Sequence, residues 1–289
     1  MKDNKPAFVL ITVVALTIVG AGLSLFFSRF INLAGFGGET ISMPQQTVLP
    51  PTAPQQETTA VVTYAPPSPQ DAPAAIREAV LLGANIMADT GKYAAPYVGN
   101  KLSCTNCHFK AGITHGGKNG GLSLVGVGAS YPKYRKRQDY AVDLVTRTND
   151  CFKRSMNGRP LPEESKEMAA IVTYYQWISK GLPVFAEIPW LGLPHLKSTH
   201  VPDKAKGGQV FDAKCSVCHG KNGEGTNAAP PMWGDTSFND GAGMHKQANL
   251  AAFAHSNMPL GNPDLSVEDA LDVAEYVVAQ PRPHFSSKQ

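Results

Sequence analysis

The sequence predicts an all-α chain, with two small helical domains in tandem behind an N-terminal transmembrane helix and a Pro-rich linker. Three observations predict it. Apolar residues recur at helical spacing in the C-terminal part, and no stretch alternates long enough to make a strand. Two similar Cys/His clusters occur there, far apart in the chain. An uncharged apolar run opens the chain, and a segment dominated by proline follows it.

Residues 7–28 carry no charge and are rich in Val, Leu, Ile and Phe. As a helix they span about 33 Å, enough for a hydrocarbon core of about 30 Å. Lys2 and Lys5 precede the run and Arg29 follows it. The flanking Lys residues keep the N-terminus cytoplasmic and send the rest outward, to the periplasmic side of the membrane. The run is long for a signal peptide and no good cleavage site follows it, so it reads as an anchor. A cleaved export signal with a soluble periplasmic product is the alternative. Residues 1–35 are therefore anchor or signal.

Residues 36–75 read as a disordered linker. Eight prolines fall between Pro44 and Pro73, interleaved with Gln, Thr and Ala. Such a segment buries too little apolar surface to fold, and its prolines stiffen it toward polyproline II. The working part is expected to begin near Ile76 and to divide into residues 76–200 and 201–289. It carries 23 Lys and Arg against 19 Asp and Glu, an excess too small to argue for nucleic acid.

Residues 75–89 predict a helix with Ala79, Leu82, Ile86 and Met87 on its apolar face. Residues 163–180 predict another, with Met168, Ile171, Tyr175 and Ile178 on one face, stopped by Gly181 and Pro183. Ser266 starts a third that carries Leu271, Ala274 and Val278 and stops at Pro281. Met87, Met168 and Trp177 read as core packing rather than as ligands.

The chain has five cysteines, too few for a disulfide scaffold and odd in number. Cys104-Thr105-Asn106-Cys107-His108 and Cys215-Ser216-Val217-Cys218-His219 account for four of them. Both are C-x-x-C-H, the pattern of covalent haem c attachment. The two thiols form thioethers to the haem vinyl groups, and the adjacent His reaches the iron from one side. Zinc sites pair their C-x-x-C elements much more closely than this, and a thioredoxin-like pair needs a βαβ setting that is not visible. Two covalently attached haems are expected.

Each iron then needs a sixth ligand or an open position. In the second domain the candidates are Met232, Met244, His245, His255 and Met258. The run from Gly208 through Phe211 and the second motif to Gly225 is similar to the entry of class I cytochromes c. That resemblance favours Met258, since such domains deliver a Met from a loop just before the last helix. A thioether raises the potential, which suits an exit haem. In the first domain Cys151 follows His108 at a spacing similar to that of Met258 after His219. It is either an inert buried or chain-linking thiol, or a thiolate on iron. If its segment is helical, Arg147, Cys151 and Ser155 stand at i−4, i and i+4 on one face. The upstream run Lys133-Tyr134-Arg135-Lys136-Arg137 is basic, with Arg135 and Lys136 read as a solvated face.

These residues resemble the thiosulfate dehydrogenases, dihaem cytochromes c that interconvert thiosulfate and tetrathionate. The stretches that carry the resemblance run from Tyr97-Val98-Gly99-Asn100-Lys101-Leu102-Ser103 into the first motif. They continue through Asn149-Asp150-Cys151-Phe152-Lys153-Arg154-Ser155-Met156-Asn157-Gly158 to Pro230-Pro231-Met232-Trp233-Gly234, Gly241-Ala242-Gly243-Met244 and Asn257-Met258-Pro259-Leu260-Gly261. The resemblance implies two cytochrome c-like domains, with His108 and Cys151 on haem 1 and His219 and Met258 on haem 2. It implies a catalytic site at haem 1 built from Cys151, Arg137, Arg147 and Ser155. Electrons would leave through haem 2 to a cytochrome c or a membrane redox complex. Some members carry a Lys beside the haem 2 Met; Asn257 stands there in this chain, so plain His/Met ligation is expected. The rival reading is a non-enzymatic, membrane-anchored dihaem shuttle to an oxidase or peroxidase, which has no use for Cys151 or the Arg residues.

Overall fold

A computed structural model describes residues 64–286. The expected anchor, and the linker up to residue 63, lie outside the described residues. Among the described residues no helix is long and apolar enough to cross a membrane.

The first domain is built on α1 (Ala74–Ala88), α2 (Leu144–Arg154) and α3 (Lys166–Trp177). α1 and α3 cross at Gly83. A Cβ there would overlap the Ala170 carbonyl and sit 2.6 Å from Tyr174 Cβ. The bare backbone lets the two helices close on a core of Val80, Ile86 and Met87 from α1 and Met168, Ile171 and Tyr174 from α3. Met87, Met168 and Trp177 are buried, as core residues should be. α3 begins a turn later than its periodicity suggests, because Ser165 caps it by accepting from Met168 N at 3.2 Å.

Two expectations about this domain need correction. The chain is not purely helical: β1 (Lys133–Arg135) pairs antiparallel with β2 (Tyr140–Val142), Lys133 opposite Val142. Strands of three residues are too short to show an alternating pattern. The linker also ends earlier than residue 75. Tyr64 donates its hydroxyl to Ile178 O and Lys180 O at 3.0 and 2.9 Å and stacks on Trp190. Trp177 Nε1 donates to Ser68 O at 2.9 Å, and Ala72 is fully buried. One aromatic residue and a few backbone acceptors dock the segment despite its prolines.

The second domain is built on α4 (Lys204–Val210), α5 (Gln247–Asn257) and α6 (Val267–Val278). Asp203 caps α4 through Ala205 N, and Ser266 caps α6 through Asp269 N. α4 runs through a wider turn, Phe211–Cys215, into the second haem motif. It crosses α6 at Gly207, where a Cβ would overlap the Asp272 carbonyl, the same device as at Gly83. Phe211, Trp233 and Tyr276 pack together beside the crossing.

The domains are pinned to each other by backbone and amide groups. Lys101 N donates to Thr236 O at 3.1 Å, and Asn239 N to Arg154 O at 3.2 Å. Asn100 Nδ2 donates to Ser237 O and Asn239 Nδ2 to Lys153 O, at 3.0 and 2.9 Å. These bonds form only when the domains are docked, although Asn100 Nδ2 also donates to Ser155 O within the first domain at 2.8 Å.

Candidate functional site

In the first motif the chain turns over Cys104–Asn106, held by Asn106 Oδ1 accepting from Ser103 N at 2.7 Å. His108 Nδ1 lies 2.9 Å from Leu122 O. With the proton on Nδ1, Nε2 is left as the ligand nitrogen, and the carbonyl fixes the ring. In the second motif Pro230 O holds His219 Nδ1 in the same way at 2.7 Å. Burial pushes His108 down to about 4 and also lowers His219. Both rings are therefore neutral at pH 7, the form that binds a metal.

None of the five cysteines pairs with another as a disulfide. One cavity brings Cys104, Cys107 and His108 together with Cys151, Met87 and Tyr175. A second, about 310 Å³ and mainly apolar, joins Cys215, Cys218 and His219 to Met232, Met244 and Met258. Paired thiols, a neutral His and a soft sulfur partner are the donor set of haem c, so the residues fit the group. The two cavities share Leu102, Asn106, Cys107, Phe238 and Met244 as a common wall. Met232 lies two residues beyond Pro230, whose carbonyl backs His219.

The third cavity, about 320 Å³, is basic. Asp143 caps α2 by accepting from Thr146 N at 2.7 Å. The helix then sets Arg147, Cys151 and Ser155 in a row, Ser155 just past its end. Arg147 Nη1 donates to Cys151 Sγ at 2.8 Å. Interaction with the Cys151 sulfur raises the Arg147 pKa above its usual value, against the effect of burial. Arg137 comes from the β1–β2 turn and donates Nη1 to Gly241 O at 3.0 Å. Burial, then the neighbouring Arg154, push its pKa down.

The cavity thus gathers all four residues expected of the catalytic site, Cys151, Arg137, Arg147 and Ser155. Arg135 and Lys136 line it too, Lys136 exposed and Arg135 half-buried, so the solvated face that the charge run suggested forms part of the cavity's rim. Arg154 and Lys246 also line it, which makes six cationic side chains against one carboxylate. That carboxylate, Asp150, is already engaged by Gln138 Nε2 and by Arg154 Nε at 3.4 Å. Arg154 was visible in the sequence as the residue at i+3 from Cys151. Lys246 and Asn249 were not, because they come from the second domain. Cys151 and Ser155 line both this cavity and the first haem cavity, so they form the wall between them.

Two motif-bearing domains, each closed by a helix pair crossing at a glycine, define a dihaem cytochrome c. The family model described as SoxA/TsdA, cytochrome c domain, matches residues 91–184, and the one described as Cytochrome c matches residues 204–280. The chain therefore has two cytochrome c domains in tandem and binds two haem c covalently. It belongs to the thiosulfate dehydrogenase family. It is 41% identical over 228 residues to the thiosulfate dehydrogenase of Stutzerimonas stutzeri (strain A1501), covering 76% of this chain and 73% of that one. It is 44% identical over 211 residues to that of Thiomonas intermedia (strain K12), covering 71% of this chain and 66% of the relative. Among solved structures it is similar to the as-isolated thiosulfate dehydrogenase TsdBA from Marichromatium purpuratum, with a TM-score of 0.69 at 31% identity. That match covers 76% of this chain but 50% of the TsdBA chain.

Proposed function

We propose that the chain oxidises two thiosulfates to tetrathionate, or runs the reverse reduction, in the basic cavity beside haem 1. The observation that carries this reading is the position of Cys151, whose side chain borders the cationic cavity on one side and the haem cavity on the other. A pure electron shuttle has no use for such a cavity.

Joining two thiosulfate dianions forms one sulfur–sulfur bond and releases two electrons, with no proton required. Bound haem supplies one-electron acceptors, one at each motif. The protein must bring two dianions together, and six cations around a cavity answer that repulsion. In this reading Arg137 and Arg147 grip sulfonate oxygens, Ser155 donates a hydrogen bond, and Cys151 presents its sulfur to the substrate sulfur. Arg147 also stabilises negative charge on Sγ, since it already donates to that atom. His108 and Cys151 are the proposed ligands of haem 1, and His219 and Met258 those of haem 2. Electrons leave through haem 2 to a cytochrome c or membrane redox complex. Residues 7–28 anchor the two domains on the periplasmic face, and sequencing the mature N-terminus tests this, since a start beyond residue 28 means cleavage.

The enzymatic test is thiosulfate-dependent reduction of the holoprotein. The wild type should reduce, and Cys151→Ala should keep both haems while losing turnover by about 10²–10³ or more. A wild-type spectrum unchanged by both thiosulfate and tetrathionate sinks the enzyme reading. Full turnover in Cys151→Ala sinks the site assignment alone.

A further inference from the structure

One loop of the first domain hydrogen-bonds to His108 and to the residues that flank Met258. Residues 116–122 follow the first motif and are stiffened by their own hydrogen bonds. Gly117 N donates to Gly121 O at 3.1 Å, and Thr114 Oγ1 to Gly120 O at 2.5 Å. The loop ends at the first haem motif, where Leu122 O backs His108 and Leu122 N donates to Cys107 O at 2.8 Å.

Its middle reaches across to the second domain. Gly121 N donates to Asn257 Oδ1 at 2.8 Å, and Asn119 Nδ2 donates to Asn257 O at 3.0 Å. Asn119 Oδ1 accepts from Gly261 N at 2.5 Å. Asn257 is fully buried and returns its own amide to Phe253 O on α5 at 3.1 Å. The residues held, 257 and 261, stand on either side of Met258. Asn119 has φ of +71°, in the left-handed region that Asn tolerates and most residues avoid.

We infer that Asn119 and Asn257 form a clamp between the domains that positions Met258 on haem 2, so that ligation at haem 2 depends on the docked first domain. The inference rests on the reading of Met258 as the sixth ligand. A thioether is a weak ligand on a loop, and the loop gains entropy whenever the sulfur lets go. Hydrogen bonds on both flanks restrict that escape. They do for Met258 what Pro230 O does for His219, except that the partner belongs to the other domain. Outer partners of this kind typically change metal–ligand affinity about 10–100-fold.

The test is imidazole titration of the ferric holoprotein, followed by loss of the methionine–ferric iron charge-transfer band. Asn119→Gly keeps the backbone conformation and removes both side-chain bonds. It should bind imidazole about 10–100-fold more tightly at haem 2, because Met258 competes less well. Asn119→Asp keeps the bond from Gly261 N but loses the one to Asn257 O, and should fall between Asn119→Gly and the wild type. A role confined to domain stability would lower the melting temperature and leave imidazole affinity within about twofold of wild type, and that result overturns the clamp. A wild-type protein with no methionine band overturns the Met258 assignment and the clamp with it.

Discussion

Arg147 and Cys151 are one helical turn apart, joined by a bond of 2.8 Å between a guanidinium and a sulfur. Helix geometry alone brings them together, so their pairing was legible before any fold was known. Their roles separate under substitution. Arg147→Gln keeps a donor beside Sγ but removes the charge, and kcat/KM should fall by about 10²–10³. Lys246→Ala removes a cation that does not touch Cys151, so KM for thiosulfate should rise with kcat nearly unchanged. Steady-state kinetics on the holoproteins distinguish the two patterns. If Lys246→Ala lowers kcat as much as Arg147→Gln does, the charge of the cavity acts as a whole.

At the scale of elements, both domains depend on a glycine at a helix crossing. Gly83→Ala and Gly207→Ala insert a methyl group where backbone carbonyls already stand. Each should cost about 1–3 kcal/mol, read from thermal melts of the holoprotein. An unchanged melting temperature would mean that the helices slide apart freely. The elements differed in how far the sequence revealed them. α1, α3 and α6 carry one apolar face and, for α3 and α6, a Ser cap, so periodicity finds them within a few residues. α5 did not stand out, because Leu250, Ala251, Ala252, Phe253 and Ala254 are all buried and make a run rather than a stripe. The β1–β2 hairpin escaped because it is too short to alternate, yet it aims Arg137 into the basic cavity.

The whole molecule carries information that no local pattern holds. Covalent haem attachment was legible from two five-residue motifs, whereas the full charge of the cavity was not. Lys246 and Asn249 join it from a distant stretch, through the docking of two domains. Gly241, whose carbonyl receives Arg137, belongs to the same stretch. A Cys215→Ala/Cys218→Ala double variant, unable to hold haem 2 covalently, should therefore lose more than an exit for electrons. Its second domain lacks the group around which it packs, so thiosulfate should also bind more weakly at haem 1. Spectral titration of haem 1 with thiosulfate checks this, and an affinity equal to wild type would show that the cavity forms without a finished second domain.

The shared lining of that cavity has a consequence for the order of biogenesis. A half-assembled chain holding only its first haem has neither the complete anion site nor a place to send a second electron. Such a chain should bind thiosulfate more weakly than the finished protein and turn it over little. Full competence should arrive only when the later half of the polypeptide has received its own haem and closed against the earlier half, because Lys246 and Asn249 complete the cavity from that side.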